Sequence, residues 1–155
     1  GFFRKILIVD LDVHQGNGTA SIFQNINDVF TLSFHGKNNY PFKKEKSDID
    51  IEFENGTDDK FYLKKLKNIL PKTIDEFKPE FIFYLSGVDV MENDKLGKLS
   101  LSLEGCKERD RYVLELCKKN NIPLQISMGG GYSFKLKNII EAHSNTFRLA
   151  QEIFF

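Results

Sequence analysis

The sequence predicts an α/β fold in which a mostly parallel sheet is flanked by helices. Strand-like and helix-like segments alternate along the 155 residues, which is the pattern of proteins with parallel sheets. The segment KILIVD at 5–10 is a continuous apolar run, as expected of a strand that is covered on both faces. Hydrophobic residues make up 41% of the chain, enough for one compact domain with a core.

The remaining elements follow this first strand in alternation. Strands are indicated by β-branched and aromatic residues, and helices by apolar residues that recur at helical spacing. Thr19 is placed to cap the first helix, and Pro71 predicts a kink or a break in the second. The predicted strands cover 29–35, 48–53, 80–86 and 122–128, and the helices cover 19–25, 58–77, 102–120 and 135–153.

Charge and cysteine content narrow the classes of partner. The 22 basic and 22 acidic residues cancel, so we expect no direct binding to nucleic acid and no attraction to an anionic membrane. No apolar run approaches the ~20 residues of a membrane span.

Cys106 and Cys117 lie in one predicted helix, which fits neither a disulfide framework nor a thiol metal site. We expect a cytoplasmic protein, or a nuclear one in a eukaryote.

The sequence contains no internal repeat, low-complexity tract or internal domain boundary, so residues 1–155 are assigned to a single domain. The chain enters its first strand almost at once, with GFFRKILIVD. A parallel sheet of few strands leaves an edge that must be covered. We therefore expect these residues to be an incomplete part of a larger domain.

Polar side chains stand at three predicted strand ends. Asp10, Asp12 and His14 alternate after the first strand and share one side if the chain stays extended. Asp89 follows the strand at 80–86, and Tyr132 follows a run of glycines. In open α/β sheets the ligand crevice lies beyond these ends. Two carboxylates and one imidazole suit a catalytic zinc site, and a tyrosine on a glycine turn suits an oxyanion donor.

Other interpretations of these residues stay open at this point. Aspartate and histidine at a strand end more often cap a helix or hydrogen-bond a loop, and Asp89 equally fits a turn. The segments GNG and GGGY could each hold a phosphate at a helix N-terminus. Neither segment, however, forms G-x-G-x-x-G or a P-loop with its lysine. A phosphate-binding α/β domain is therefore the weaker alternative.

Several motifs in register resemble the zinc-dependent histone deacetylase family, most closely its class IV branch and bacterial relatives. They are DLDVHQGNGTASIF, TLSFH, YPF, SGVDVMENDKLGKLSLSLEG and SMGGGYS, and they extend from about Lys5 to Tyr132. The resemblance implies an arginase/deacetylase-like fold, of which residues 1–155 would be the C-terminal part. It also implies hydrolysis of an acyl-lysine or a similar small acyl amide.

The resemblance assigns a role to each residue of the constellation. Asp12, His14 and Asp89 correspond to the ligands of one Zn²⁺, with Fe²⁺ as the alternative metal. Asp10 corresponds to the acid that orients a catalytic histidine. Tyr132 corresponds to the tyrosine that donates to the substrate carbonyl oxygen.

The same resemblance indicates substrate and potassium contacts. Leu96 corresponds to a residue on the rim of the acyl tunnel, Tyr40 to an aromatic tunnel wall, and Gly131 to a substrate contact beside the tyrosine. Family members also hold a structural K⁺ through backbone and side-chain oxygens. The positions that correspond to this ion are Asp10, Asp12, His14, Ser33 and Phe34.

The chain departs from the family pattern in ways that bear on function. The paired histidines that act as general base and acid lie upstream in the family, and no such pair occurs here. Asn17 replaces a common acid, as in the class IV branch. Gly16 stands where arginases have the aspartate of a second metal, which indicates a mononuclear site.

We therefore expect little or no turnover from these residues alone, and the upstream half of the same domain as their partner. The alternative is a remnant that binds metal or a partner without catalysis.

Overall fold

A computed structural model describes residues 3–155 of the chain. Its strands form one parallel sheet and alternate with helices along the chain, as predicted. The strands are β1 (Ile6–Asp10), β2 (Val29–Gly36), β3 (Ile49–Phe53), β4 (Phe81–Gly87) and β5 (Leu124–Gly129). The helices are α1 (Asn17–Phe23), α2 (Asp59–Phe77), α3 (Leu103–Lys119) and α4 (Leu136–Phe154).

The strand order creates a crevice between β1 and β4. The sheet runs β3-β2-β1-β4-β5, and every neighbouring pair is parallel. The chain moves from β1 towards one edge through β2, and from β4 towards the other edge through β5. Adjacent strands whose connections leave in opposite directions form the switch point at which α/β sheets place their ligands. The residues that follow β1 and β4 therefore face a common cleft.

The core lies on the central strands and on the helices packed against them. Burial of β1 is nearly complete, because helices and loops cover both faces of the sheet. Helix α3 packs against both α2 and α4. The largest buried apolar side chains include Leu7, Leu32, Phe34, Ile82, Tyr84, Tyr62, Leu66 and Leu70.

Side-chain caps begin the two helices that flank the sheet centre. The carboxylate of Asp58 accepts the amide of Phe61 at 2.9 Å, and the hydroxyl of Ser102 accepts the amide of Gly105 at 2.9 Å. The prediction that Thr19 caps α1 is wrong. Helix α1 begins at Asn17, so Thr19 lies inside it, and the preceding Gly16 offers no side-chain cap.

Pro71 does not break α2, which runs from Asp59 to Phe77. Proline lacks the N–H that would bond the carbonyl four residues earlier, which here belongs to Lys67. The hydroxyl of Tyr112 on α3 donates to that carbonyl at 3.4 Å. Buried Leu70 and Ile74 flank the proline and pack into the core. Tertiary packing and this replacement donor thus sustain the helix where the sequence alone predicted a disruption.

Apolar side chains remain exposed along the β5 edge and on α4. Met128, Phe134, Leu136 and Ile140 each expose more than half of their surface, at 63%, 83%, 67% and 57%. Strand β5 pairs only with β4 among the described residues, so its outer edge presents unpaired backbone groups. None of the helices in residues 3–155 combines the length and the apolar character needed to cross a membrane.

Candidate active site

Three side chains of the metal-ligand type meet in the crevice beyond β1 and β4. Asp12 and His14 follow β1, and Asp89 follows β4. The Nδ1 atom of His14 lies 3.1 Å from Oδ1 of Asp12 and 3.2 Å from Oδ2 of Asp89. The three ligand atoms all lie within 4.8 Å of one another, and no second group of this kind occurs within residues 3–155.

The donor set and its spacing fit one divalent metal ion. Around a tetrahedral zinc with bonds of about 2.0–2.1 Å, ligand atoms stand about 3.3 Å apart. The two separations of 3.1 and 3.2 Å from His14 are close to that value. Two carboxylates and one imidazole leave at least one coordination position for water or substrate. The structure thus brings the predicted ligands together, and metal binding by them stays a prediction.

Backbone amides orient the two carboxylates. The amide of Val13 donates to Oδ1 of Asp89 at 3.0 Å, which links the β1 loop to the β4 loop. The amide of His14 donates to Oδ1 of Asp12 at 2.9 Å. Residues 12–14 form bends rather than extended strand, yet Leu11 and Val13 are fully buried while Asp12 and His14 stay partly exposed, so buried and partly exposed residues alternate. This alternation keeps Asp12 and His14 on the crevice side.

The protonation states of the three groups depend on one another. Hydrogen bonds to Asp12 and then to Asp89 raise the pKa of His14 to about 10. Burial acts to raise the pKa of Asp12, but its hydrogen bonds with His14 prevail and hold that pKa below its usual value. Burial raises the pKa of Asp89 against the hydrogen bond with His14. The two carboxylates therefore favour the protonated, cationic form of His14.

Asp10 ends β1 and lies beneath the ligands. It is 5% exposed, and its Oδ1 accepts the amide of Asp12 at 3.0 Å. Burial raises the pKa of Asp10 to about 7. Its observed partner is thus the backbone of a ligand loop. The role predicted for Asp10, orienting a catalytic histidine, stays a prediction.

A buried ion pair beneath the crevice escaped the sequence analysis. Arg109 on α3 is fully buried and donates to the carbonyls of Leu11 at 3.1 Å and Gly87 at 2.7 Å. These carbonyls lie at the ends of β1 and β4, just before the two ligand loops. Asp110 accepts the Nε–H of Arg109 at 2.8 Å, together with hydroxyl groups of its neighbours, and compensates the buried charge.

The tyrosine lies on the glycine turn that follows β5. Gly130 and Gly131 have φ values of +66° and +110°, which only glycine adopts readily. A Cβ on Gly130 would stand 2.7 Å from Cβ of Asp89 and closer still to its carboxyl group. The turn is therefore in direct contact with a predicted ligand. Tyr132 itself is 59% exposed, two residues beyond that contact.

The predicted substrate residues lie on the loops around this turn. Leu96 is 52% exposed and Tyr40 is 63% exposed. The side chain of Asn39 donates to the carbonyl of Leu96 at 2.8 Å, which joins the loop of Tyr40 to that of Leu96. The ring of Tyr40 meets Phe42 edge-on, with centroids 6.5 Å apart. Their predicted contacts with an acyl chain stay predictions.

The positions predicted for K⁺ lie on two paired strands and their ends. Asp10 of β1 stands opposite Ser33 of β2 in the sheet register, and Phe34 follows Ser33. The hydroxyl of Ser33 lies 2.9 Å from Nδ1 of the buried His35. Ser33 therefore already has a side-chain partner, and potassium binding stays a prediction.

Comparison with known proteins identifies the family. Residues 1–147 match the model of the histone deacetylase domain. The chain belongs to the histone deacetylase family. An uncharacterised protein of Picosynechococcus sp. is 41% identical to it over 154 residues, which cover 99% of this chain and 51% of that protein. Histone deacetylase 2 of Arabidopsis thaliana is 35% identical over 131 residues, which cover 83% of this chain and 34% of the relative.

Solved structures confirm the predicted fold of this histone deacetylase homologue. The crystal structure of the HDA15 HD domain has a TM-score of 0.79 at 26% identity, over 96% of this chain and 46% of that one. An acetylpolyamine aminohydrolase from Burkholderia pseudomallei has a TM-score of 0.81 at 19% identity, over 97% and 46% of the two chains, a likeness of fold alone. The chain thus spans about half the length of these structures.

Proposed function

We propose that the protein containing this chain is a metal-dependent hydrolase that removes acetyl or other acyl groups from lysine-type amides. The observation that carries the proposal is the convergence of Asp12, His14 and Asp89 at the switch point of the sheet, beside the turn that bears Tyr132. Membership of the histone deacetylase family supports the same reaction class. Zn²⁺ is the proposed metal and Fe²⁺ the alternative.

Each group of the crevice has a defined part in amide hydrolysis. Asp12, His14 and Asp89 would hold the metal, which when bound polarises the amide carbonyl and acidifies a water molecule. The phenol of Tyr132 donates a hydrogen bond to the carbonyl oxygen as negative charge develops there. Water adds its oxygen to the acyl carbon, the C–N bond breaks, and the released amine takes a proton.

The groups that move protons are proposed to come from elsewhere in the same protein. The sequence has three histidines: His14 is a predicted ligand, His35 is fully buried, and His143 lies within α4. None of them is paired with a second histidine as the family reaction requires. Because the chain spans about half the length of relatives such as the Picosynechococcus protein, we place the histidine pair in the upstream half. These residues alone should turn over little or no substrate.

The proposed substrate is an acetylated lysine or a small acyl amide of similar shape. Tyr40, Leu96 and Gly131 would line the passage for the acyl chain. Asn17 supports placement near the class IV branch, because it replaces a common family acid. The K⁺ site is proposed at Asp10, Asp12, His14, Ser33 and Phe34.

The test compares deacylation by the longest protein that contains this chain with that of single variants. Wild-type protein loaded with zinc should release acetate from an acetyl-lysine peptide. Tyr132→Phe should lower kcat by about 100-fold or more, the usual effect of removing one oxyanion donor. Tyr112→Phe is the matched control, because it removes a phenol on α3 that bonds the carbonyl of Lys67 on α2, outside the crevice. It should lower the unfolding free energy slightly and leave the kcat of the folded protein unchanged.

Two outcomes would oppose the proposal. Full activity in Tyr132→Phe would contradict the role of oxyanion donor that is given to Tyr132. Tight zinc binding that is lost in Asp89→Asn, without any deacylation by the longest protein, would favour the non-catalytic remnant. Zinc content measured by elemental analysis separates these cases, since it does not depend on turnover.

A further inference from the structure

One carboxylate connects the turn of Tyr132 to the loop of Leu96. Oδ2 of Asp94 accepts the backbone amide of Tyr132 at 2.6 Å. Its Oδ1 accepts the amides of Leu96 and Gly97, each at 2.8 Å. These three hydrogen bonds, here called the Asp94 clamp, join segments 38 residues apart in sequence.

Further contacts extend the clamp on both sides. The amide of Lys95 donates to the carbonyl of Tyr132 at 3.3 Å, so both backbone polar groups of Tyr132 bond to neighbouring residues of one loop. Asp94 also forms an isolated antiparallel bridge with Ser133. On the other side, Asn39 donates to the carbonyl of Leu96 at 2.8 Å. The loops that carry the phenol and both acyl-wall residues are therefore linked.

The turn has little else to hold the phenol in place. Gly130 and Gly131 precede Tyr132, and their backbones sample more conformations than those of other residues. The side chain of Tyr132 is 59% exposed, so packing restrains it weakly. A hydrogen bond to a carboxylate is stronger than one between neutral groups. The Asp94 clamp is thus the strongest polar restraint observed on the Tyr132 backbone.

We propose that Asp94 is a positioning residue that holds Tyr132 and Leu96 at a fixed spacing. The inference rests on the proposed function, because it assigns to Asp94 the placement of the oxyanion donor. Asp94 acts on the reaction through the backbone of Tyr132. Loss of the clamp leaves the three predicted metal ligands intact and removes the carboxylate that fixes the Tyr132 backbone. A misplacement of about 1 Å can cost about 100-fold in rate.

The test measures kcat and KM of the longest zinc-loaded protein with Asp94→Ala and Asp94→Asn. Asp94→Ala should lower kcat by about 10-fold to 100-fold through Tyr132, and it should raise KM because the Leu96 loop loses two hydrogen bonds. Asp94→Asn keeps one acceptor oxygen and should lose less. In a Tyr132→Phe background, Asp94→Ala should cause no further loss of kcat, since both changes remove the same interaction. Glu92→Ala, which removes an exposed carboxylate from the same loop, should change neither constant.

Amide exchange of Tyr132 separates this inference from the proposed function. Protection of that amide should fall in Asp94→Ala and not in Glu92→Ala, whether or not the protein turns over substrate. An inactive wild type would overturn the proposed function, while the exchange data would still report on the clamp. An equal kcat loss from Asp94→Ala with and without the phenol, or unchanged exchange at Tyr132, would overturn the inference.

Discussion

Gly130→Ala tests the contact between the glycine turn and the metal ligands. The new Cβ would lie 2.7 Å from Cβ of Asp89 and nearer to its carboxyl group, so the Asp89 side chain has to move. That side chain is 2% exposed and is held by the amide of Val13. It cannot turn aside without losing this bond and its place beside His14. The mutation therefore acts directly on a predicted ligand.

Gly130→Ala should have two separate effects, one on the free energy of unfolding and one on zinc affinity. A non-glycine residue in the left-handed region costs about 1–2 kcal/mol, and Gly130 has φ +66°. Displacing the ligand should lower zinc affinity by at least about 10-fold to 100-fold, the loss typical of disturbing the groups that orient a metal ligand. Gly131→Ala provides the comparison, because its φ is +110° and its Cβ would meet Ile139 at 2.8 Å and Val88 at 3.0 Å. It carries backbone strain and crowding without touching a ligand.

The assay combines zinc titration against a competing chelator with denaturant unfolding of the metal-free protein. Both variants should unfold more easily, while only Gly130→Ala should lose zinc affinity. Gly18→Ala controls for adding a methyl group, since nothing lies within 4 Å of its Cβ position, and it should change neither quantity unfavourably. Wild-type zinc affinity in Gly130→Ala would refute the reasoning.

Two further predictions concern stability. Arg109→Met should cost about 3–5 kcal/mol of unfolding free energy, because it leaves a buried carboxylate without its cation. Arg111→Met removes a partly exposed arginine that pairs with Glu152, so it should cost no more than about 1 kcal/mol. Urea unfolding measures both. Asp58→Ala should cost about 1 kcal/mol through loss of a helix cap. Ser102→Ala should cost more than Asp58→Ala, since the Ser102 hydroxyl also donates to Asp59 at 2.6 Å; equal losses would contradict this ranking.

The strands and the crevice could be predicted because their signals are local. Side chains that alternate with a period of two after an apolar strand put Asp12 and His14 on one side. The carboxyl ends of parallel strands share one edge of the sheet. Asp89 needed only the additional assumption that its strand lies beside the first. The order β3-β2-β1-β4-β5 satisfies that assumption.

The supporting groups could not be predicted from the sequence, because they act between segments that are distant along the chain. Arg109 is one of several charged residues in the helix predicted at 102–120, although its spacing of three from Cys106 and four from Val113 puts it on the apolar face of α3. Asp94 lies within one of the family motifs, but its bond to Tyr132 depends on loop geometry that the sequence does not specify. The break that Pro71 predicts in α2 does not occur, and the Tyr112 hydroxyl that bonds the freed carbonyl of Lys67 lies on another helix, which the local sequence does not indicate.

The measurement that tests the central claim most directly is acetate release from an acetyl-lysine peptide by the longest protein that contains this chain, before and after metal removal. The account predicts that a chelator abolishes release and that one equivalent of Zn²⁺ per protein restores it. In His14→Ala, which deletes the ligand that lies 3.1 and 3.2 Å from the two carboxylates, added zinc should restore nothing. Release that persists after complete metal removal, or that zinc restores fully in His14→Ala, would contradict the account.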